Sequence, residues 1–125
     1  MFEGMKNMAG MAGLMKDLPK MKEKMEQVKK ELGDLHVTAE TGGGAVRATA
    51  TGAMRIVSID IEPALMAGLV DPSNPDDQAM AQDLIAGATN AALEKAREAA
   101  EQRLSEAAGE LGLPIPPGGL GGLMQ

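Results

Sequence analysis

The stretch from Val37 to Ile61, VTAETGGGAVRATATGAMRIVSIDI, leaves this chain few ways to fold. β-branched residues alternate with small and polar ones, and glycines break the alternation twice. That pattern predicts three short antiparallel strands joined by tight turns. The first turn falls at Thr41-Gly42-Gly43-Gly44 and the second at Gly52-Ala53. Glycine reaches the positive φ angles that hairpin turns require. In the middle strand Val46, Ala48 and Ala50 share one face, and Arg47, Thr49 and Thr51 share the other. In the third strand, Val57, Ile59 and Ile61 form the stronger apolar face, opposite Ile56, Ser58 and Asp60. A three-stranded sheet of this size needs a cover on its apolar face.

Helical segments on either side supply that cover. Leu14, Leu18, Met21, Met25, Val28, Leu32 and Leu35 recur at alternating spacings of four and three, the seam of a helix packed along its length. The expected span is Leu18 to Leu32, with Pro19 in its first turn and Gly33-Asp34 ending it, or a longer one that reaches back through the Met-rich segment with a kink. Residues 1–13 hold scattered Met and Gly and read as mobile or only partly helical. After the sheet, Glu62-Pro63-Ala64-Leu65-Met66-Ala67-Gly68 suggests one helical turn stopped by Gly68. Asn74-Pro75-Asp76-Asp77 is a strong start signal: a capping residue, a proline at the first helical position, and acids at the positive end of the dipole.

The helix that follows can run from Pro75 to about Ala108 on Ala, Glu, Leu, Gln and Arg. At 1.5 Å per residue it would be ~50 Å long, against ~23 Å for a strand of seven residues. Its first half (Met80, Leu84, Ile85, Ala88, Ala92) can cover the sheet. Its charged second half must overhang, and is expected to project into solvent or to pack only on the first helix or on another subunit. A homodimer is the expected form. The fold class is therefore α+β in the order α-β-β-β-α, as one domain over residues 1–111. Residues 112–125, GLPIPPGGLGGLMQ, form a Pro/Gly-rich tail expected to be disordered.

The 125 residues hold one aromatic, Phe2, and no cysteine, which removes disulfides, thiolate metal sites and a cysteine nucleophile. No apolar run approaches the ~18–20 residues that cross a bilayer, and no signal peptide is evident, so a cytoplasmic protein without membrane contact is expected. The catalytic inventory is thin. His36 is the only histidine and falls at a helix–strand junction. Ser58, Ser73 and Ser105 have no partner base in any motif. Asp60 and Glu62 share a strand face, a conceivable metal or acid–base pair but an ordinary solvated edge. Asp71, Asp76 and Asp77 lack calcium-loop spacing. Gly42-Gly43-Gly44 is not followed by the Gly-Lys-Ser/Thr of a phosphate loop. No catalytic residue, metal, cofactor or small-molecule substrate is expected, and the chain does not read as an enzyme.

Charge distribution points to binding. The net charge is −6, yet residues 1–36 carry seven Lys against six acids, while residues 63–125 carry three bases against nine acids. Lys16, Lys20 and Lys24 stand four apart in one stripe. Lys22 and Lys29 are expected on a neighbouring stripe with Lys30 beside them. Like charges at that spacing oppose helix formation slightly. The set is either a solvated helix face or a phosphate-contacting one doubled by dimerisation. Nothing offers base-specific reading: there is no recognition-helix motif and no aromatic stacking platform.

The order of elements, together with particular segments, resembles the YbaB/EbfC family of nucleoid-associated proteins. Those segments are Leu14-Met15-Lys16, Met21-Lys22-Glu23-Lys24-Met25, Val37 to Gly44, Val46-Arg47-Ala48 with Gly52-Ala53, Ile59-Asp60-Ile61-Glu62-Pro63, and Asp83-Leu84-Ile85-Ala86-Gly87-Ala88-Thr89-Asn90-Ala91-Ala92. The Pro-Pro-Gly tail is similar too, so the likeness spans about residues 5–118. It implies a tweezers-like homodimer with helices projecting from a β core. It also implies duplex DNA binding with little sequence demand, and a place in the bacterial nucleoid with nucleoid or DNA-repair proteins as partners. The DNA-binding role it implies falls on Lys16, Lys20, Lys22, Lys24, Lys29 and Lys30, and more weakly on Arg97 and Arg103. A non-enzymatic protein adaptor with weak or no DNA binding is the alternative, and a small enzyme or metal protein a distant third.

Overall fold

The computed structural model describes residues 2–112, with side chains from Leu18 onward. The elements run α1 (Phe2–Asp34), β1 (His36–Thr41), β2 (Val46–Thr51), β3 (Ile56–Ile61), α2 (Pro63–Val70) and α3 (Pro75–Glu110). The strands form one antiparallel meander in the order β1-β2-β3. The structure is thus the expected α+β arrangement, with the helical turn expected after the sheet present as α2. The tail expected from Gly112 lies outside the described residues beyond Gly112 itself.

Local chemistry explains each boundary. Gly42, Gly43 and Gly44 all take positive φ (62°, 67° and 99°) in a one-turn 3-10 link between β1 and β2. Three successive left-handed residues are tolerable only as glycine. Asn74 caps α3, its side-chain oxygen accepting from the Asp77 N–H at 3.3 Å, with Asp76 and Asp77 in the first turn. The first helix passes through Pro19 and reaches back to Phe2, the longer of the two expected spans. Proline removes one internal hydrogen bond, and the good helix formers after it sustain the turns. The α2 helix likewise continues two residues past Gly68 and ends at Val70. Glycine inside a helix costs only about 1 kcal/mol, and Gly68 packs beside Asp77 of α3.

The core is a helix laid on one sheet face. Val46, Ala48 and Ala50 of β2 are fully buried, with Ala39 of β1 nearly so, against Ala88, Ala92 and Ala96 of α3. Leu84, Ile85 and Leu93 pack partly buried around them, while Met80, expected to join the cover, stays 53% exposed. Alanine along the buried stripe lets α3 sit close to the strands. Thr41 donates its hydroxyl to the Leu84 carbonyl at 2.6 Å. The opposite sheet face is polar, with Thr38 and Thr49 hydroxyls 3.0 Å apart and Glu40 paired with Arg47 at 2.7 Å.

The expected faces of β3 need correction. Ala48 faces Ile59 and Thr49 faces Ser58, but Ala50 faces Ile56, leaving Val57 as the extra residue of a bulge. The bulge shifts the alternation by one. Ile56 therefore packs on the core, and Val57 is 52% exposed.

A second, smaller cluster joins the arms. Val28 and Leu32 of α1 are buried against Ala100 and Ala107 of α3, with Leu35 and Leu104 beside them. Gly52 fits under the end of α1, where an added Cβ would stand 2.8 Å from the Leu32 carbonyl oxygen. Among the described residues only this last part of the predicted α1 seam is buried, since Leu18 and Met25 are 52% and 45% exposed.

Candidate nucleic-acid interface

The candidate cations sit mostly on α1. At 3.6 residues per turn, each residue advances about 100° around the helix. Lys20 and Lys24 therefore share one row, but Lys22 and Lys29 lie roughly 180° to 200° round from Lys20, so they are not on a neighbouring stripe as expected. The two rows flank the apolar seam. Lys22 and Lys29 edge an open groove of about 320 Å³ floored by Met25, Leu32 and Leu104. Lys24, on the other side, reaches Glu110 of α3 at 2.5 Å. Lys30 is exposed beyond the second row. The Lys16 side chain lies outside the described residues.

Carboxylates divide the candidates into two groups. Among the described residues, Lys20, Lys22, Lys29 and Lys30 are exposed and have no carboxylate within salt-bridge distance. Lys24, Arg97 and Arg103 are engaged. Arg97 holds both Glu94 oxygens at 2.9 and 3.0 Å, with Glu101 at 3.9 Å. Arg103 donates to Glu31 of α1 at 2.6 Å, with Glu110 at 3.6 Å and Glu106 at 3.8 Å.

These contacts shift the acids and bases as expected for partly solvated pairs. The Lys24 hydrogen bond, then its charge and that of Arg103, holds the Glu110 carboxyl below its usual range. The Arg103 hydrogen bond does the same for Glu31. The hydrogen bonds that Arg103 donates to Glu31 and Arg97 donates to Glu94 push the two guanidiniums up.

Other polar residues are placed for structure. His36 is exposed at the start of β1. Asp60 faces Arg47 across the sheet, and Glu62 occupies the N-cap position of α2. Asp71 accepts from the Ser73 amide and hydroxyl at 2.9 and 2.6 Å. Among the described residues no group of three or more His, Asp or Glu could hold a metal ion. No helix there is long and apolar enough to cross a membrane. Lys95 of α3, which is not among the candidates, ties the helix to β1 by donating to the Thr38 carbonyl at 2.8 Å. Its place in a mixed-charge run carries no signal that would have singled it out.

An α+β core with a lysine-bearing first helix defines the class of fold. Residues 6–111 match the YbaB/EbfC DNA-binding family, and the chain belongs to that family. Its fold is also similar to that of an uncharacterized protein, HP0035, from Helicobacter pylori. The two are 26% identical with a TM-score of 0.55, over 68% of this chain and 82% of that one.

Proposed function

We propose that this protein is a non-enzymatic, nucleoid-associated protein of the cytoplasm. It binds duplex DNA as a homodimer, through backbone phosphates and with little sequence demand. The observation that carries this reading is the group of exposed α1 lysines without carboxylate partners among the described residues: Lys20, Lys22, Lys29 and Lys30. Lys16, four residues before Lys20 in sequence, is proposed to act with them. Lys24, Arg97 and Arg103 join more weakly, because each already has an acid beside it. Phosphate contacts need cations on a rigid rail and no base-reading motif. The homodimer is supported by exposed apolar side chains. Six large apolar residues at least 36% exposed fall between Met54 and Met80, namely Met54, Val57, Ile59, Met66, Val70 and Met80. They accompany the unpaired edge of β3, a combination that calls for a partner.

The test is fluorescence anisotropy with two unrelated duplexes at low and near-physiological salt. Similar affinities for both, with a salt slope of about 0.9 per phosphate contacted, are expected. Lys22→Glu with Lys29→Glu should weaken binding at least tenfold. Full affinity in that variant would overturn the site, and no binding by the native chain at low salt would overturn the function. Sedimentation should give a dimer, converted to monomer by Ile59→Asp; a monomeric native chain would refute that part. The apolar groove of Met25, Leu32 and Leu104 favours the second reading, a protein adaptor. Recovery of a stoichiometric protein partner, with no DNA shift at physiological salt, would select it.

A further inference from the structure

We propose that Glu110 and Glu31 are built-in competitors of DNA, holding Lys24 and Arg103 in an ionic clamp between α1 and α3 that phosphate must displace. The proposal rests on the phosphate-binding reading above. Its geometry is a crossed pair. Lys24 of α1 reaches Glu110 at the end of α3, while Arg103 of α3 reaches back to Glu31 of α1. Glu110 also lies 3.6 Å from Arg103, and Glu106 lies 3.8 Å from it. Three carboxylates thus face two cations, so the clamp itself is net negative.

The apolar contact between the arms explains why the clamp matters. Among the described residues it involves Val28 and Leu32 against Ala100 and Ala107, with Leu35 and Leu104. Lys24 lies one turn further out, where Met25 is already 45% exposed. There the ionic contact acts with little apolar packing to support it. Such partly solvated pairs are weak and salt-screened. Duplex DNA presents a phosphate charge about every 1.7 Å along its axis, so it can replace Glu110 as the partner of Lys24. The clamp lowers affinity for isolated anions and favours a polyanion that engages several lysines at once.

The experiment measures duplex affinity at 100 mM salt for the native chain, Glu110→Gln, Lys24→Gln and the double variant. Glu110→Gln is expected to bind at least threefold tighter, and the gain should vanish in the Lys24→Gln background. Such coupling is what a double-mutant cycle isolates. An equal gain in both backgrounds would mean that Glu110 acts only as a repulsive charge, which overturns the clamp. Native binding with no gain in Glu110→Gln also overturns it and leaves the DNA reading intact. No binding by any of the four overturns both.

Discussion

Gly52 sits where the sheet meets the base of the first helix. Its N–H donates to the Leu35 carbonyl at 3.0 Å. A Cβ added there would lie 2.8 Å from the Leu32 carbonyl oxygen, 3.1 Å from Leu32 Cδ2 and 3.2 Å from Leu32 Cα. Two of these three neighbours are backbone atoms and cannot swing aside. Gly52→Ala must therefore push the end of α1 off the sheet and loosen Val28 and Leu32 in their cluster. Overpacking of this kind typically costs about 1–3 kcal/mol. Alanine also restricts the unfolded chain, which returns about 0.4–1 kcal/mol. The net expectation is a loss of about 1–2 kcal/mol. With a urea m-value of about 1–3 kcal/mol/M, the midpoint should fall by roughly 0.5–1 M. Gly33→Ala is the matched control, because a Cβ there meets nothing within 4 Å. It lies near the end of a helix and should stabilise by up to about 1 kcal/mol. Both are measured at one protein concentration, since dimerisation would make the midpoint concentration-dependent. A Gly52→Ala variant as stable as the native chain would refute the close-contact reasoning.

Three further outcomes are expected. Val28→Ala should cost about 2 kcal/mol, as deletion of fully buried methyl groups does, while Met25→Ala, half exposed, should cost much less; comparable losses in urea melts would contradict the assigned burial. Asn74→Ala should cost about 1 kcal/mol through loss of the α3 cap, with Asn74→Asp retaining most of it; a neutral alanine variant would remove the cap from the account. Glu31 and Glu110 have folded pKa values below their ordinary 4.5, so their stabilising contribution is present above about pH 4.5 and lost as pH falls through the lowered values. A Glu31→Gln, Glu110→Gln double variant should therefore lie below the native chain in stability at neutral pH and converge with it in acid; a gap that persists through acid titration would refute the linkage.

Much of the fold was legible because strong local signals agreed with one another. The triple glycine, the alternation through Val46, Ala48 and Ala50, and the Asn74-Pro75-Asp76-Asp77 start each act within a few residues. The bulge at Val57 was not legible, because a period of two assumes an unbroken ladder. The persistence of α2 past Gly68 was not legible either, since its support comes from α3, later in the chain. The site was legible only as residue types. Which lysines keep their charge available depends on carboxylates far away in sequence: Glu110 lies 86 positions from Lys24 and meets it only after folding. Counting charge along α1 could not reveal that, nor that Lys22 and Lys29 occupy a different side from Lys20.

The third helix carries both clusters on one uninterrupted rod, with Ala88, Ala92 and Ala96 on the sheet and Ala100 and Ala107 against α1. Its length is consequently fixed in phase as well as in distance. One residue inserted between Ala96 and Ala100 would rotate everything beyond it by about 100° and advance it by 1.5 Å. Ala107 would then face away from Val28, and Glu110 would leave Lys24. Seven residues would nearly restore the phase but carry the tip about 10 Å onward, past the end of its contact. This stretch should accept substitutions on its outer side readily and insertions of any size poorly.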